Sequence, residues 1–343
     1  MIKIILDCYG GDNSPSANVE GALYALAKIK DLHLILTGDR EMIEAELFGK
    51  KYDSSRLDIE HAPDVVKDSL KPTDAIRQQK DSSLVRAISM LRNDDSVDGM
   101  VSVGSTGVVL VGATLRVGRI NGIKRPAFCP ILPTMNGGVV GICDSGANVE
   151  CTPEYLLQFA IMGSLYMKEV YRIKSPRVAL LNVGTEETKG DELHLAAYSL
   201  LKNEKSINFV GNMESRDLLS GNYDLVVCDG FSGNVLIKST EGACLEMLKM
   251  IKQMVTSSAK NKVGALFLKK SLNEKKEFMN YQNYGGSVML GTRKVIVKGH
   301  GSSKAKGITK CIEQAYTMAK RRLPEAIEEQ ISKTIITEDT ENV

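Results

Sequence analysis

The chain is poor in aromatic residues and contains no tryptophan. Aromatic side chains make up 5% of its 343 residues, which argues against a surface that stacks nucleobases and against membrane spans bordered by tryptophan. An excess of one charge is also lacking, because 44 basic residues face 42 acidic ones. The composition therefore excludes a globally basic nucleic-acid-binding protein, although it allows a local basic patch.

Several common site motifs are absent as well. The seven cysteines include no CxxC pair and the four histidines include no HExxH, so neither a disulfide scaffold nor a zinc site is indicated. There is no GxGxxG, no GxxxxGK[ST] and no GxSxG, which removes the usual nucleotide loops and the serine nucleophile elbow. No apolar run approaches the ~18 residues of a membrane span, and the opening MIKIILD leads into a strand rather than a signal peptide. We therefore expect a reduced, cytoplasmic protein that needs no metal or cofactor.

The pattern of apolar residues alternates between strands and helices. Strands are predicted at residues 3–7, 32–36, 98–103, 177–183, 223–228 and 294–298. Helices are predicted from about residue 14, at 108–117, from 152, at 191–201, from 235 and at 305–322. This alternation is typical of crossover units and predicts a three-layer αβα fold with a largely parallel sheet. We expect one domain over residues 1–330, with a helical excursion at about 240–280, followed by a tail at 331–343.

Five glycine-containing loops follow predicted strands. They are YGGDN (9–13), GSTG (104–107), GTEETKG (184–190), DGFSGN (229–234) and GHGSS (299–303). Strand-to-helix loops of one parallel sheet lie at a common edge, where glycine allows close approach and helix N-termini attract anions. Glycine also makes ordinary tight turns, but most of these loops carry further polar side chains. Together they predict a site for phosphate or a phosphorylated ligand.

A basic segment is the second informative region. Residues 249–276 contain eight lysines and one acidic residue, Glu274. Leu266 and Phe267 form an apolar tip between these lysines. Such a segment is typical of a helix that binds a membrane surface or an acidic partner, and equally of a solvated helix whose apolar stripe packs on the core or in a dimer.

Long, ordered motifs then point to a family. DCYGGDN (7–13), DSGANVECTPEYLLQFAIMGS (144–164), LLNVGTEETKGDEL (180–193), VVCDGFSGNVLIKSTEG (226–242) and GHGSSKAKG (299–307) resemble the bacterial phosphate acyltransferases, which make acyl phosphate from acyl carrier protein thioesters. RINGIKRPA (119–127), LPT (132–134), INFVGNMESRDLLSG (207–221) and NYGG (283–286) extend the resemblance over nearly the whole chain. One departure is Ser105, which stands where the family commonly has asparagine.

The resemblance implies transfer of a fatty acyl group from acyl carrier protein to inorganic phosphate, at the head of phospholipid synthesis. It implies a fold similar to the isocitrate and isopropylmalate dehydrogenases and the phosphate acetyltransferases. It also implies a homodimer, peripheral membrane association, and delivery of the product to a membrane-bound glycerol-phosphate acyltransferase. The rival functions are a short-chain phosphate acyltransferase that uses acyl-CoA, a hydroxy-acid dehydrogenase on the related fold, and a non-catalytic membrane scaffold.

The resemblance and the loops together nominate the site residues. Lys189 and Asn234 match the positions that the family is understood to use for catalysis. The residues expected to bind phosphate or substrate are Gly10, Gly11, Asp12, Asn13, Ser105, Thr106, Gly107, Gly233, His300, Gly301, Ser302 and Ser303. Those expected to contact a membrane or acyl carrier protein are Lys262, Leu266, Phe267, Lys269 and Lys270.

Overall fold

The computed structural model describes residues 1–67, 69–278 and 281–341, except for the side chains of residues 262, 273, 276, 281, 282 and 335–341. The strands in this part are β1 (Ile2–Asp7), β2 (Leu32–Gly38), β3 (Leu57–His61), β4 (Gly99–Ser102), β5 (Ala127–Cys129), β6 (Ile131–Pro133), β7 (Val139–Cys143), β8 (Arg177–Asn182), β9 (Asn208–Glu214), β10 (Leu225–Val227), β11 (Ser287–Leu290) and β12 (Val295–Lys298). The helices are α1 (Ser16–Lys28), α2 (Arg40–Leu47), α3 (Pro72–Gln78), α4 (Ser83–Asn93), α5 (Thr106–Gly112), α6 (Pro153–Tyr171), α7 (Glu192–Asn203), α8 (Gly230–Thr256), α9 (Ala259–Phe278), α10 (Ala305–Lys320) and α11 (Leu323–Glu341).

The strands form two sheets. The first has the order β3-β2-β1-β4-β12-β11-β5, and the second has the order β6-β7-β10-β8-β9. Neighbouring strands are parallel except around β11 and between β6 and β7. The predicted α/β class with largely parallel strands is therefore confirmed, whereas the expectation of one sheet is wrong. Short strands of three residues, such as β5 and β6, carry too little periodicity to be predicted from the sequence.

Alternating side chains place apolar residues on both faces of each sheet. On β1, Ile4 and Leu6 belong to the largest core, while Ile5 belongs to the core on the opposite face. On β10, Leu225 belongs to the largest core and Val226 to the core beneath α8. This period-two alternation is that of strands buried on both faces. The largest core is shared by both sheets, which packs them into one layered unit.

The chain crosses from one sheet to the other at Pro130. β5 is the last strand of the first sheet and β6 is the first strand of the second, and one residue separates them. A second link is the hydrogen bond from the Ser145 amide, just after β7, to the carbonyl oxygen of Phe128 on β5 (3.0 Å). The carboxyl ends of the two sheets therefore meet at this crossing.

The bounds of α8 and α11 differ from the prediction. α8 begins at Gly230, five residues before the predicted start, because Gly230 and Gly233 in its first turn obscure the helical pattern. Residues 331–341, expected as part of the tail, continue α11. By contrast, the helix predicted to open at Thr152 does so, with Pro153 in its first turn.

Candidate active site

Each of the five glycine-containing loops joins a strand to a helix, as predicted. Three of these loops follow β1, β4 and β12, which are neighbours in the first sheet. The other two follow β8 and β10, which are neighbours in the second sheet. The loops therefore form two groups, one on each sheet, rather than one row along a single edge.

The loops of the first group are bonded to one another. The Asp12 amide donates to the carbonyl oxygen of Gly301 (2.9 Å). The Asn13 side-chain amide donates to the carbonyl oxygens of Ser302 and Ser303, at 3.3 Å each. Gly11 has a φ of +87°, and a side chain there would press against the Gly301 carbonyl. Gly11 is therefore required for packing between these loops. The Asn13 side-chain amide is likewise used in the contact with the 299–303 loop.

A cleft of about 300 Å³ lies between the two sheets. Its floor contains Phe128, Pro130 and Leu132, at the crossing between the sheets. Its polar wall combines residues from both loop groups, from α8, from the loop after β7 and from the start of β11 with the two glycines before it. These residues are Thr106, Ser145, Asn234, Lys238, Glu241, Gly285, Gly286, Ser287, Lys298, Gly299, His300, Gly301 and Ser303. The structure thus brings Asn234 together with His300, Gly301, Ser303 and Thr106.

The first turns of α8 place Asn234 in this cleft. The Asp229 carboxylate accepts a hydrogen bond from the Ser232 amide (2.9 Å), so the helix N-cap is Asp229 and not Asn234. A side chain at Gly233 would overlap the carbonyl oxygen of Asp144. The glycine therefore lets α8 approach the loop after β7, and the Asn234 amide stays available to a ligand.

Asp144 holds this loop against both sheets. Its carboxylate accepts from the amides of Phe128 (2.9 Å) and Asn148 (2.6 Å). Its own amide donates to the carbonyl oxygen of Cys228, directly after β10 (2.9 Å). Burial raises the pKa of Asp144 to about 6, although these donors oppose the shift. Asp144 therefore positions the walls of the cleft without lining it.

Lys298 is the site residue that the sequence analysis missed. It ends the apolar strand β12, lines the cleft and is 8% exposed. Burial lowers its pKa from 10.5 to about 8, because the charged ammonium loses its hydration. Glu241 on α8 also lines the cleft, and burial raises its pKa. The sequence gives one indication that Lys298 belongs to the site: it is a charged residue at the end of the apolar run VIVK, directly before GHGSS.

A second cavity of about 320 Å³ lies beside the first and shares Gly301 with it. It is lined by Gly10, Gly11, Asp12 and Ser105, among others. The fully buried Asp7 carboxylate forms part of its wall and accepts from the hydroxyls of Ser83 (2.5 Å) and Ser102 (2.7 Å). Burial raises the pKa of Asp7. The predicted loop residues are thus divided between two adjoining cavities.

Some nominated residues lie outside both cavities. Lys189 is exposed, and its backbone closes the loop after β8 by accepting from the Asn182 side chain (3.0 Å). Gly107 packs against Pro72 of α3. Ser302 is exposed, and its hydroxyl is 2.8 Å from His300 Nδ1. The loop that carries Lys189 is nevertheless next to the Asn234 loop, because β8 and β10 are adjacent.

The basic segment extends away from the cleft. At about 1.5 Å per residue, α8 carries the chain roughly 33 Å from Asn234 to Thr256. α9 then presents Leu266 and Phe267, which are 69% and 87% exposed. Lys269 and Lys270 are exposed beside them, while the side chain of Lys262 lies outside the described residues.

Comparison with known proteins decides the family. A family model described as fatty acid synthesis protein matches residues 2–326. The phosphate acyltransferase of Clostridioides difficile is 40% identical over 332 residues, covering 97% of each chain. That of Clostridium perfringens is 44% identical over 333 residues, with the same coverage. The chain belongs to the phosphate acyltransferase family.

Solved structures define the fold of this phosphate acyltransferase family member. A phosphotransacetylase from Streptococcus pyogenes superposes with a TM-score of 0.61 at 16% identity, over 93% of this chain and 94% of the other. A branched-chain phosphotransacylase from Enterococcus faecalis gives 0.57 at 12% identity, over 93% and 99%. The expected likeness to phosphate acetyltransferases in fold is confirmed, and the chain is an acyltransferase.

Membrane-spanning helices and metal-binding clusters are both absent from the part of the chain that the structure describes. No helix in this part is both long and apolar enough to cross a membrane. The same residues contain no group of three or more histidine, cysteine, aspartate or glutamate side chains placed to hold a metal ion. The cleft lining itself presents an amide, ammonium groups, a carboxyl group, an imidazole, hydroxyl groups and backbone groups.

Proposed function

We propose that the chain transfers a fatty acyl group from an acyl carrier protein thioester to inorganic phosphate, forming acyl phosphate for phospholipid synthesis. Acyl transfer to phosphate is the activity of its family. The observation that carries the proposal is the cleft between the sheets, where Asn234, Lys298 and the 299–303 loop surround one space. These groups suit a small oxyanion and a polarised carbonyl.

The proposed reaction needs positioning and charge stabilisation. An oxygen of hydrogen phosphate attacks the thioester carbonyl carbon, and the carbon–sulfur bond breaks. The departing thiolate takes up the proton that phosphate releases, which leaves a free thiol and acyl phosphate. Asn234 donates its side-chain amide to the oxygen that becomes negative during attack. A preorganised donor of this kind contributes about 10²–10³ in rate.

We assign Lys189 to the mouth of the cleft. Its side chain is exposed at the edge that the loops after β8 and β10 share. A lysine there suits the acidic carrier protein or the charge that develops on the acyl group once the donor has closed the site. Its role therefore depends on a complex with the donor.

An apolar groove beside the cleft supports a fatty donor. Its lining includes Pro133, Leu219, Cys244, Leu245 and Leu248. It shares Leu132 and Glu241 with the cleft. The groove has a volume of about 40 Å³, which accommodates a few methylene groups of a fatty acyl chain. We propose that the remaining methylene groups of the acyl chain lie along α8. An acetyl group needs no such extension, so the groove favours a long-chain donor over a short-chain one.

Membrane association and dimerisation are further proposals. The tip of α9 joins exposed apolar residues to lysines, which suits an anionic bilayer and brings the product near a membrane-bound glycerol-phosphate acyltransferase. On α8, Met250 and Met254 are 62% and 60% exposed. We propose that a second copy of the chain covers this face.

One assay tests the proposed reaction. The protein is incubated with inorganic phosphate and either palmitoyl-acyl carrier protein or acetyl-CoA, and acyl phosphate is trapped with hydroxylamine. The expected result is palmitoyl hydroxamate from the carrier-protein donor and little acetyl hydroxamate. Preference for acetyl-CoA would make the chain a short-chain enzyme. Vesicle binding without hydroxamate from either donor would favour a non-catalytic scaffold.

A further inference from the structure

Lys298 is a buried cation with little compensation from the protein. Its ammonium donates to the carbonyl oxygen of Gly299. Asp7 on β1 and Cys311 on α10 act on it through longer-range electrostatics. Within the described ranges, no carboxylate forms an ion pair with it. An ammonium buried in this way lowers stability, because its hydration is not replaced by a counter-ion.

The surrounding strand shows that position 298 is exceptional. Val295, Ile296 and Val297 precede it on β12 and are all buried apolar residues. A strand end packed in this way accepts an apolar side chain readily. The lysine instead directs a positive charge to a cleft whose nearby lining includes Gly285, Gly286 and Gly299. Glycines allow a ligand to approach the backbone closely.

We propose that Lys298 binds the inorganic phosphate that attacks the thioester, through direct contact of its ammonium with a phosphate oxygen. This inference rests on the proposed function and names the cation that holds the second substrate. Phosphate then supplies the counter-ion that the folded chain lacks.

The other lysines near the site are poorer candidates. Lys238 lines the cleft but is exposed, and Lys189 is exposed outside it. Attraction between charges in water is about twenty-fold weaker than in a dry interior, and real sites lie between these limits. A buried ammonium therefore contributes more to phosphate affinity than an exposed one at similar distance.

Lys298→Met tests the proposal, because methionine keeps the length of the side chain and removes its charge. A hydrogen bond to a charged group contributes about 1.5–3 kcal/mol, which corresponds to roughly 10–150-fold in affinity. We expect the KM for inorganic phosphate to rise at least tenfold, with the KM for the acyl donor within twofold of wild type. Lys298→Arg keeps the charge and is expected to recover part of the phosphate affinity.

Lys294→Met is the matched control. Lys294 immediately precedes β12, at the opposite end from Lys298, and its ammonium donates to the carbonyl oxygen of Val97 (2.7 Å). It lines neither cavity at the carboxyl ends of the strands. The KM for phosphate of this variant is expected to stay within twofold of wild type.

A measurement without turnover separates this proposal from the proposed function. Inorganic phosphate is titrated against the melting temperature of wild type, Lys298→Met and Lys298→Gln, with sodium chloride at matched ionic strength. Phosphate should raise the melting temperature of wild type, and of both variants far less. A merely structural lysine predicts equal phosphate shifts and a less stable variant.

The outcomes are distinct. An unchanged phosphate KM in Lys298→Met, or equal phosphate-dependent shifts in all three proteins, overturns the assignment. A raised KM for the acyl donor with an unchanged phosphate KM also overturns it, since Lys298 would then bind a phosphate group of the donor. If wild type forms no acyl phosphate but its phosphate-dependent shift still depends on Lys298, the proposed function fails and the phosphate site stands.

Discussion

Charged and polar side chains in and beside the cleft differ in how many hydrogen-bond and ion-pair partners the protein gives them. The Asp144 carboxylate accepts a hydrogen bond from β5 of the first sheet, and its amide donates to the carbonyl oxygen of Cys228, directly after β10 of the second, so Asp144 is part of the scaffold. Asn234 and Lys298 line the space itself, and among the described residues no carboxylate forms an ion pair with the Lys298 ammonium. Groups that a fold buries without full compensation are frequent at functional sites. This contrast supports the proposed chemical roles of Asn234 and Lys298, with Asp144 as a positioning residue.

Removing the Asn234 amide is predicted to slow acyl transfer. Asn234→Ala should lower kcat by at least tenfold, because the oxyanion loses a preorganised donor. Lys189→Ala should also lower the rate at least tenfold, whereas Lys205→Ala, at another exposed lysine, should leave it within twofold. Hydroxamate formation measures all three. Full activity with a native melting curve would remove the altered residue from the mechanism.

Lys298 should also give stability a characteristic dependence on pH. Its pKa is about 8 in the folded chain, against an ordinary value of 10.5. Between these values the unfolded chain binds more protons, so this lysine makes stability rise with pH. Relative to Lys298→Met, wild type should gain about 3 kcal/mol of unfolding free energy from pH 7 to pH 10.5.

Urea unfolding at several pH values, without phosphate, measures this difference. Titratable groups around Lys298 or in the same cleft include Asp7, Glu241, Lys238, His300 and Cys311. Lys298→Met retains all of them. Taking the difference between the two proteins removes most of their contribution. A difference that is independent of pH would mean that the ammonium is not desolvated.

Sequence motifs identified several residues that the fold brings into one cleft, but they gave no sign of residues whose character depends on burial. The loop motifs nominated Asn234, His300 and Ser303, which share the cleft. They did not reveal Lys298, because its significance depends on strands distant in sequence that exclude water from it. They also could not place Lys189, since a long side chain on a loop has many orientations.

At the scale of elements, α8 connects the proposed chemistry to the proposed membrane contact. Its first turns contribute Asn234, its middle borders the apolar groove, and its end leads to α9. The sequence predicted a long helix here but started it at residue 235. The first turn contains two glycines that propensity disfavours, and they are tolerated because the loop after β7 packs against them.

Two glycines on α8 make this packing testable. Gly233→Ala should lower the free energy of unfolding by about 1–3 kcal/mol, because the methyl group overlaps the Asp144 carbonyl and forces the helix to shift. It should also reduce activity, since Asn234 moves with the helix. Gly242→Ala meets nothing within 4 Å and should raise stability by about 0.5–1 kcal/mol. Chemical denaturation of both variants distinguishes a required glycine from a dispensable one.

The tip of α9 makes a separate prediction about membranes. Leu266→Glu combined with Phe267→Glu should abolish sedimentation with anionic vesicles, because the changes remove apolar area and add negative charge. Activity on carrier-protein donor without vesicles should stay within twofold. Phe48→Glu alters a side chain that is 88% exposed at the end of α2 and should sediment as wild type does. Retention of the double variant on vesicles would reject α9 as the contact.

For the whole molecule, the decisive feature is the meeting of two sheets. The alternation of strands and helices predicted an α/β fold, since crossover units leave a clear periodic pattern. The division into two sheets depends on β5, β6 and the strand order, which are properties of long-range pairing. The cleft exists because Pro130 carries the chain between the sheets, so its position was not available from local patterns.

The most direct test of the account is an experimental structure of the protein with inorganic phosphate. We predict a phosphate ion in the cleft between the sheets, with an oxygen within hydrogen-bond distance of Lys298 Nζ and close to Asn234 and the 299–303 loop. The same crystals of Lys298→Met should show no ordered phosphate there. Phosphate bound elsewhere in the wild-type protein, with this cleft holding solvent, would contradict the account.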